Sequence, residues 1–187
     1  RGLRSERTAT QTRHRFNATR IRFCYAKSFR NIVGMISMQK ILFICHGNIC
    51  RSPMAEMVMK HYVKTAGLEH DFYIDSAATD YDEIGNGMHR GTRQILTQNG
   101  IPFTDHRARL VTPDDYNDFD LLIIMDSENE RHLKRRVGED SDKKVHYLLE
   151  YTGENRDVAD PWYTGNFEET WSDVTRGCAA LLATLRK

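Results

Sequence analysis

Nowhere does the chain carry an unbroken apolar run approaching the 18 or so residues of a membrane-spanning helix, which excludes a helical span. Cysteine is scarce, with four among 187 residues: Cys24, Cys45, Cys50 and Cys178. Only Cys45 and Cys50 lie close together, so a secreted disulfide framework is excluded. No further Cys or His stands at ligand spacing beside them, which argues against a structural zinc site. A reducing, cytoplasmic setting fits such usage. Repeats and low-complexity segments are missing from residues 38–187, and an excess of positive charge is missing there too.

The near-neutral total of +1 hides an asymmetry. Residues 1–37 hold nine Lys/Arg against one acid, whereas residues 38–187 hold eighteen against twenty-five. A body with net negative charge lacks the basic footprint that phosphate backbones need, so no nucleic acid partner is expected. The first 37 residues are rich in Arg, Ser and Thr and show no repeating apolar face. We expect them to be a disordered, non-native extension from an over-extended reading frame, with an organellar transit peptide as the alternative.

From Met38 the pattern becomes that of a folded domain. "KILFIC" (40–45) is an apolar run of the kind buried in a parallel sheet. Ala55, Val58, Met59, Tyr62, Val63 and Ala66 then recur at helical spacing, with Gly67 as a stop. Further strands are predicted at 72–77, 121–126 and 144–150. Helices are predicted at 89–99 and 127–137, and a long amphipathic one carries Phe167, Trp171, Val174, Cys178, Leu181, Leu182 and Leu185. Alternating strands and helices give an α/β fold with a parallel sheet, in which ligands sit at the carboxyl ends of the strands. Cys45, Asp126 and the loop after Glu150 all fall at such ends. Cys178, on an apolar stripe, reads as a packed core thiol.

The turn "CHGNICRS", Cys45 to Ser52, is a piece of chemistry. Gly47 and Asn48 tolerate backbone geometries that other residues resist, so successive N–H groups can be aimed inward as an anion nest. The helix that follows adds its free N-terminal amides, and Pro53 suits the first helical position. Arg51 supplies a planar fork for two phosphate oxygens. A helix N-terminus and a cation also stabilise a thiolate, so a phosphate held over Cys45 is placed for in-line attack. The Ser52 hydroxyl can donate to the same thiolate. Such a nucleophile leaves an alkoxide or phenoxide to be protonated, and Asp160 in "VADPWYTG" is the candidate acid, with Trp162 and Tyr163 as walls for a flat ring.

"CHGNICRSPMAE" together with "DPWY" resembles the low-molecular-weight protein tyrosine phosphatases, and the similarity spans Met38 to Lys187. The resemblance implies a three-layer fold, a four-stranded parallel sheet flanked by helices with the phosphate-binding loop between the first strand and first helix. It also implies two steps. Cys45 attacks phosphorus while Asp160 protonates the leaving group, and water activated by Asp160 then hydrolyses the phosphocysteine. Arg51 and the backbone of His46, Gly47, Asn48, Ile49, Cys50 and Arg51 would hold the transition-state oxygens. Asn48, Ser52, Ser76, His106 and Asp126 match residues that support the loop or orient Arg51. Cys50 matches a second loop cysteine that forms a reversible disulfide with the nucleophile. No metal or cofactor is implied.

Family members commonly carry a Trp in the loop after the second strand, where this chain has Asp82 preceded by Tyr81. The substrate slot is therefore expected from Ile49, Tyr81, Asp82, Trp162 and Tyr163. Expected partners are phosphotyrosine proteins or small aryl phosphates, with phosphate as product and inhibitor, acting on a monomer or weak dimer. Protein arginine phosphatases are the nearest alternative, but Ile49 and the "WY" pair favour a phosphotyrosine ring. Thioredoxin-coupled arsenate reductases share the loop but need a downstream cysteine relay, and only Cys178 follows Cys50. A phosphotyrosine reader without catalysis would have no use for Cys45 or Asp160.

Overall fold

The computed structural model describes residues 38–186, so the expectations for the basic extension and Cys24 lie outside the described residues. Four strands, β1 (Gln39–Cys45), β2 (Phe72–Ala78), β3 (Leu121–Ile124) and β4 (Val145–Tyr147), pair in parallel in the order β2-β1-β3-β4. The central place of β1 follows from its sequence: Ile41, Leu42, Phe43 and Ile44 are all completely buried. Because side chains alternate along a strand, Ile41 and Phe43 face one layer and Leu42 and Ile44 the other.

Helices α1 (Arg51–Thr65) and α6 (Phe167–Leu185) cover the first layer, joined by α2 (Arg90–Gln98). On the second, α3 (Pro113–Asp118) and α4 (Ser127–Val137) pack Tyr116 and Leu133 against Leu42 and Ile44. The close seating of α6 depends on Gly177, since a Cβ there would lie 2.5 Å from Leu148 Cγ.

Several boundaries differ from the expectation. Helix α1 opens at Arg51, so Pro53 is its third residue rather than its first. That costs nothing, because the first four N–H groups of a helix have no intrahelical acceptor. Strand β4 stops at Tyr147, and Leu148–Thr152 turn into a 3₁₀ helix closed by Gly153 at φ 81°. Two short helices, α3 and α5 (Pro161–Thr164), were not among the predicted elements. Each has a side-chain cap: Thr112 exchanges hydrogen bonds with Asp115 before α3, and Asp160 accepts from the Trp162 N–H before α5.

Candidate active site

Strand β1 delivers Cys45 to the carboxyl edge of the sheet, and six residues later α1 begins at Arg51. The 45–52 turn between them is held in one shape by Asn48, a buried non-glycine residue at φ 56°. Sequence reasoning shared the unusual backbone between Gly47 and Asn48. The structure gives the positive φ to Asn48, while Gly47 serves close approach: a Cβ there would meet Glu83 Cγ at 3.0 Å.

The strain at Asn48 is offset by hydrogen bonds on every side. Its Nδ2 donates to Ser52 Oγ at 2.9 Å and Ser76 Oγ at 2.8 Å, and its Oδ1 accepts from the Arg109 N–H at 3.1 Å. Its carbonyl accepts from His106 Nε2 at 2.7 Å. Ser76, His106 and Ser52 therefore brace the turn. Ser52 passes the support onward, its Oγ lying 3.1 Å from Cys45 Sγ.

Two supports escaped the sequence. Buried Glu56 accepts from Ser76 Oγ, which turns that hydroxyl so that it can accept from Asn48. The Arg109 side chain is clamped between Asp75 and Asp115, fixing the backbone that meets Asn48. Both converge on the turn only through folding, although Glu56 on the apolar side of α1 was a visible anomaly. We expect Asn48→Ala to lower stability by about 2–3 kcal/mol, since it strands several buried partners, and to lower turnover with it. Urea denaturation beside an activity assay checks this; an unchanged midpoint would mean the network carries no load.

Arg51 is 3% exposed, with Asp126 on one η nitrogen and Asp160 Oδ2 at 2.6 Å from the other. Burial opposes its charge, but Cys45, Asp126 and Asp160 outweigh that and hold the guanidinium above its ordinary range. Both carboxylates are placed by helix starts. Asp126 Oδ1 caps α4 through the Asn129 N–H, and Asp160 Oδ1 caps α5. The segment before Asp160 is pinned at both sides: the Val158 N–H donates to the Met125 carbonyl at 2.8 Å, and Thr170 Oγ1 to the Ala159 carbonyl at 2.8 Å. Asp173 accepts from the Ala159 N–H and from Arg156, whose fork keeps it below the usual carboxylate range although burial works the other way.

These groups surround a cavity of about 560 Å³. Cys45, His46, Gly47, Ile49, Cys50 and Arg51 form its floor and near wall; Asp126, Asp160, Trp162 and Tyr163 stand opposite, with Asp82 at the rim. Trp162 and Tyr163 are 64% and 80% exposed. Tyr81, expected in the slot, does not line this cavity. Its ring lies 4.5 Å from the Arg136 guanidinium, where a cation–π contact holds it. Acidic Glu83, Glu128 and Asp157, not anticipated, complete the rim.

Burial pushes the Cys50 thiol up to about 12, and the neighbouring Cys45 adds to the shift. Cys178 is wholly buried, and burial alone raises its thiol far above the ordinary range, as a core residue. It is placed for packing and not for passing a disulfide outward.

A family model described as low molecular weight phosphotyrosine protein phosphatase matches residues 40–187. The low molecular weight protein-tyrosine-phosphatase YfkJ of Bacillus subtilis (strain 168) is 43% identical over 152 residues, covering 80% of this chain and 97% of that protein. Its crystal structure aligns with a TM-score of 0.77, over 80% of this chain and 96% of that one. The low molecular weight protein tyrosine phosphatase SP-PTP of Streptococcus pyogenes aligns at 42% identity and a TM-score of 0.71, over 79% of this chain and 93% of that one. The Drosophila arginine phosphatase DARP aligns at 29% identity and a TM-score of 0.73, over 80% and 99%.

Proposed function

Since the chain belongs to the low molecular weight phosphotyrosine protein phosphatase family and is a phosphatase of that kind, we propose that it hydrolyses phosphotyrosine and small aryl phosphates through a phosphocysteine at Cys45. The observation that carries this is the buried Arg51, aimed at the cavity above Cys45 and flanked by Asp126 and Asp160.

An arriving ester phosphate takes over the Arg51 fork and the turn's amides, and displaces the Asp160 carboxyl toward the ester oxygen. The Cys45 thiolate attacks phosphorus in line as the phosphorus–oxygen bond breaks. A protonated Asp160 delivers its proton to the departing phenoxide. A water molecule then attacks the phosphocysteine and gives its proton to Asp160, while the sulfur leaves as thiolate with the Ser52 hydroxyl donating to it. Inorganic phosphate is released from the cradle that binds the ester, so it inhibits in competition with substrate. The chain works as a monomer or weak dimer in the cytoplasm, where reduction keeps Cys45 available.

A second reading, protein arginine phosphatase, is favoured by the acidic rim of Asp82, Glu83, Glu128 and Asp157, which suits a guanidinium leaving group. Against it, Ile49, Trp162 and Tyr163 present apolar and aromatic surface for a ring. Cys50 is read as the partner that rescues an oxidised Cys45: peroxide takes the thiolate to a sulfenic acid, and the Cys50 thiol displaces water to form the disulfide.

Rapid acid quench of the enzyme with an aryl phosphate, followed by mass spectrometry, tests this reading. The expected result is one phosphoryl group on Cys45, and a higher kcat/KM for phosphotyrosine than for phosphoarginine peptides. Turnover with no adduct, or with the adduct elsewhere, would remove the phosphocysteine; a preference for phosphoarginine would select the second reading. Peroxide-treated enzyme in the same spectrometer should lose two hydrogens across Cys45 and Cys50, and a sulfinic acid at Cys45 instead would deny Cys50 its role.

A further inference from the structure

Three side chains with metal-ligating atoms converge beside the nucleophile's turn. His46, Asp80 and His132 each bring one such atom to within 4.8 Å of the others, and all three are half-buried. They come from different elements: the turn after β1, the segment after β2, and α4. Two are set in place by backbone. The Thr79 N–H donates to the Cys45 carbonyl at 2.9 Å and the Asp80 N–H to the His46 carbonyl at 3.0 Å, which carries the β1–β2 pairing past the strand ends. The third faces them across the sheet edge, with the His132 ring 6.1 Å from that of His46.

We propose that His46, Asp80 and His132 bind a divalent transition ion of the zinc class, with solvent completing the coordination. Two imidazoles and one carboxylate are a donor set that such ions accept, leaving a fourth position open. Bonds of about 2.1 Å on a tetrahedron separate the ligand atoms by about 3.4 Å, so a small closing of half-exposed side chains brings the three into range. Asp82 Oδ2, 3.4 Å from His46 Nε2, stands ready as an outer partner or fourth donor. Asp80 keeps an oxygen to spare, since its Oδ1 accepts from the Tyr81 N–H.

A second observation points to a ligand at the same place. A separate cavity of about 240 Å³ is lined by Thr79, Asp80, His132, Arg135 and Arg136. The cavity leaves room beside Asp80 and His132 for the solvent that would complete the coordination. The two arginines oppose a cation. Arg136 is already engaged, donating to the Thr79 carbonyl and stacked on Tyr81, and the carboxylates of Asp80 and Asp82 offset the remaining charge.

Occupancy would fasten the residue after Cys45 to α4, a link that catalysis itself does not require. The ion is therefore a ligand of the fold beside the active site, and its binding stands or falls independently of the phosphatase reading. The competing metal ligand is the Cys45 thiolate, so the experiment removes it. Cobalt(II) titration of the full-length Cys45→Ser protein should show one equivalent with ligand-field bands and no thiolate charge-transfer band. Thermal melting with zinc should rise in the same protein. His132→Ala in that background should weaken cobalt binding at least about tenfold and abolish the zinc-dependent rise in melting temperature, because even loss of an outer partner costs roughly that much. Removing His132, which lies outside the catalytic cavity, should leave metal-free hydrolysis by the Cys45 enzyme unchanged, showing that the variant folds. Binding that vanishes with Cys45→Ser, or that His132→Ala leaves intact, overturns the proposal.

Discussion

Replacing Cys45 with serine should leave a folded protein that binds phosphate esters and turns over essentially none, with kcat down on the order of 10⁴-fold or more. The substitution is nearly isosteric at a position only 3% exposed, so the end of β1 and the turn keep their shape. Arg51 and the backbone of the turn also remain, which keeps the ester's affinity near that of the parent. What changes is the nucleophile. A helix N-terminus and a guanidinium suffice to favour a thiolate, but an alkoxide lies too far uphill for either to supply it. No base stands ready: Ser52, the hydroxyl at 3.1 Å, is already accepting from Asn48, and Asp160 is paired with Arg51. Isothermal titration with a non-hydrolysed aryl phosphonate, run beside steady-state kinetics, separates binding from chemistry. Residual turnover within tenfold of the parent would mean that another group attacks phosphorus.

What the chain disclosed in advance, and what it withheld, follows from how far apart the cooperating residues lie. Strand β1 was legible because Ile41 to Ile44 form a run buried on both faces, and α4 because a charged segment of helical length, 127–137, follows the third apolar run. The same cues misled at β4. Leu148 and Leu149 are as apolar as a strand residue, and nothing local says that they belong to a 3₁₀ turn packed under α6. Helices α3 and α5, of six and four residues, are too short to show a period, although the Thr112–Asp115 pair was a readable start signal. In the site, the contiguous 45–52 turn could be read residue by residue. Asp126, Ser76 and His106 were expected only through resemblance, and the contacts at Arg51 and Asn48 supply the physical reason for them. Tyr81 was placed by alignment alone, and the pull of Arg136 takes it elsewhere. Arg109 and the His46–Asp80–His132 group had no local signature, because their partners are brought to them only by the parallel sheet.

Asp160→Asn should lower kcat by about 10²–10⁴-fold, and by more for a poor leaving group than for a good one. The amide keeps the cap, since its oxygen can still accept from the Trp162 N–H, so α5 and the aromatic wall stay in place. Two things are lost: the proton for the departing oxygen, and one negative charge at 2.6 Å from the Arg51 guanidinium. The first slows cleavage in proportion to the basicity of the leaving group. Nitrophenolate departs readily without help, whereas the phenolate of tyrosine does not. The second frees Arg51 from a competitor, so the ester's phosphate binds more tightly and KM falls together with kcat. The amide also cannot take a proton from water, so hydrolysis of the phosphocysteine slows as well, and a burst of phenol should precede the slow steady state where cleavage remains the faster step. Burst and steady-state kinetics on nitrophenyl phosphate and phosphotyrosine measure all three effects in one experiment. An equal, small loss on both substrates with no change in KM would take the acid role from Asp160. The 2.6 Å contact would then be a simple ion pair holding Arg51 in place, and the proton donor would have to be sought among the other carboxyls of the rim.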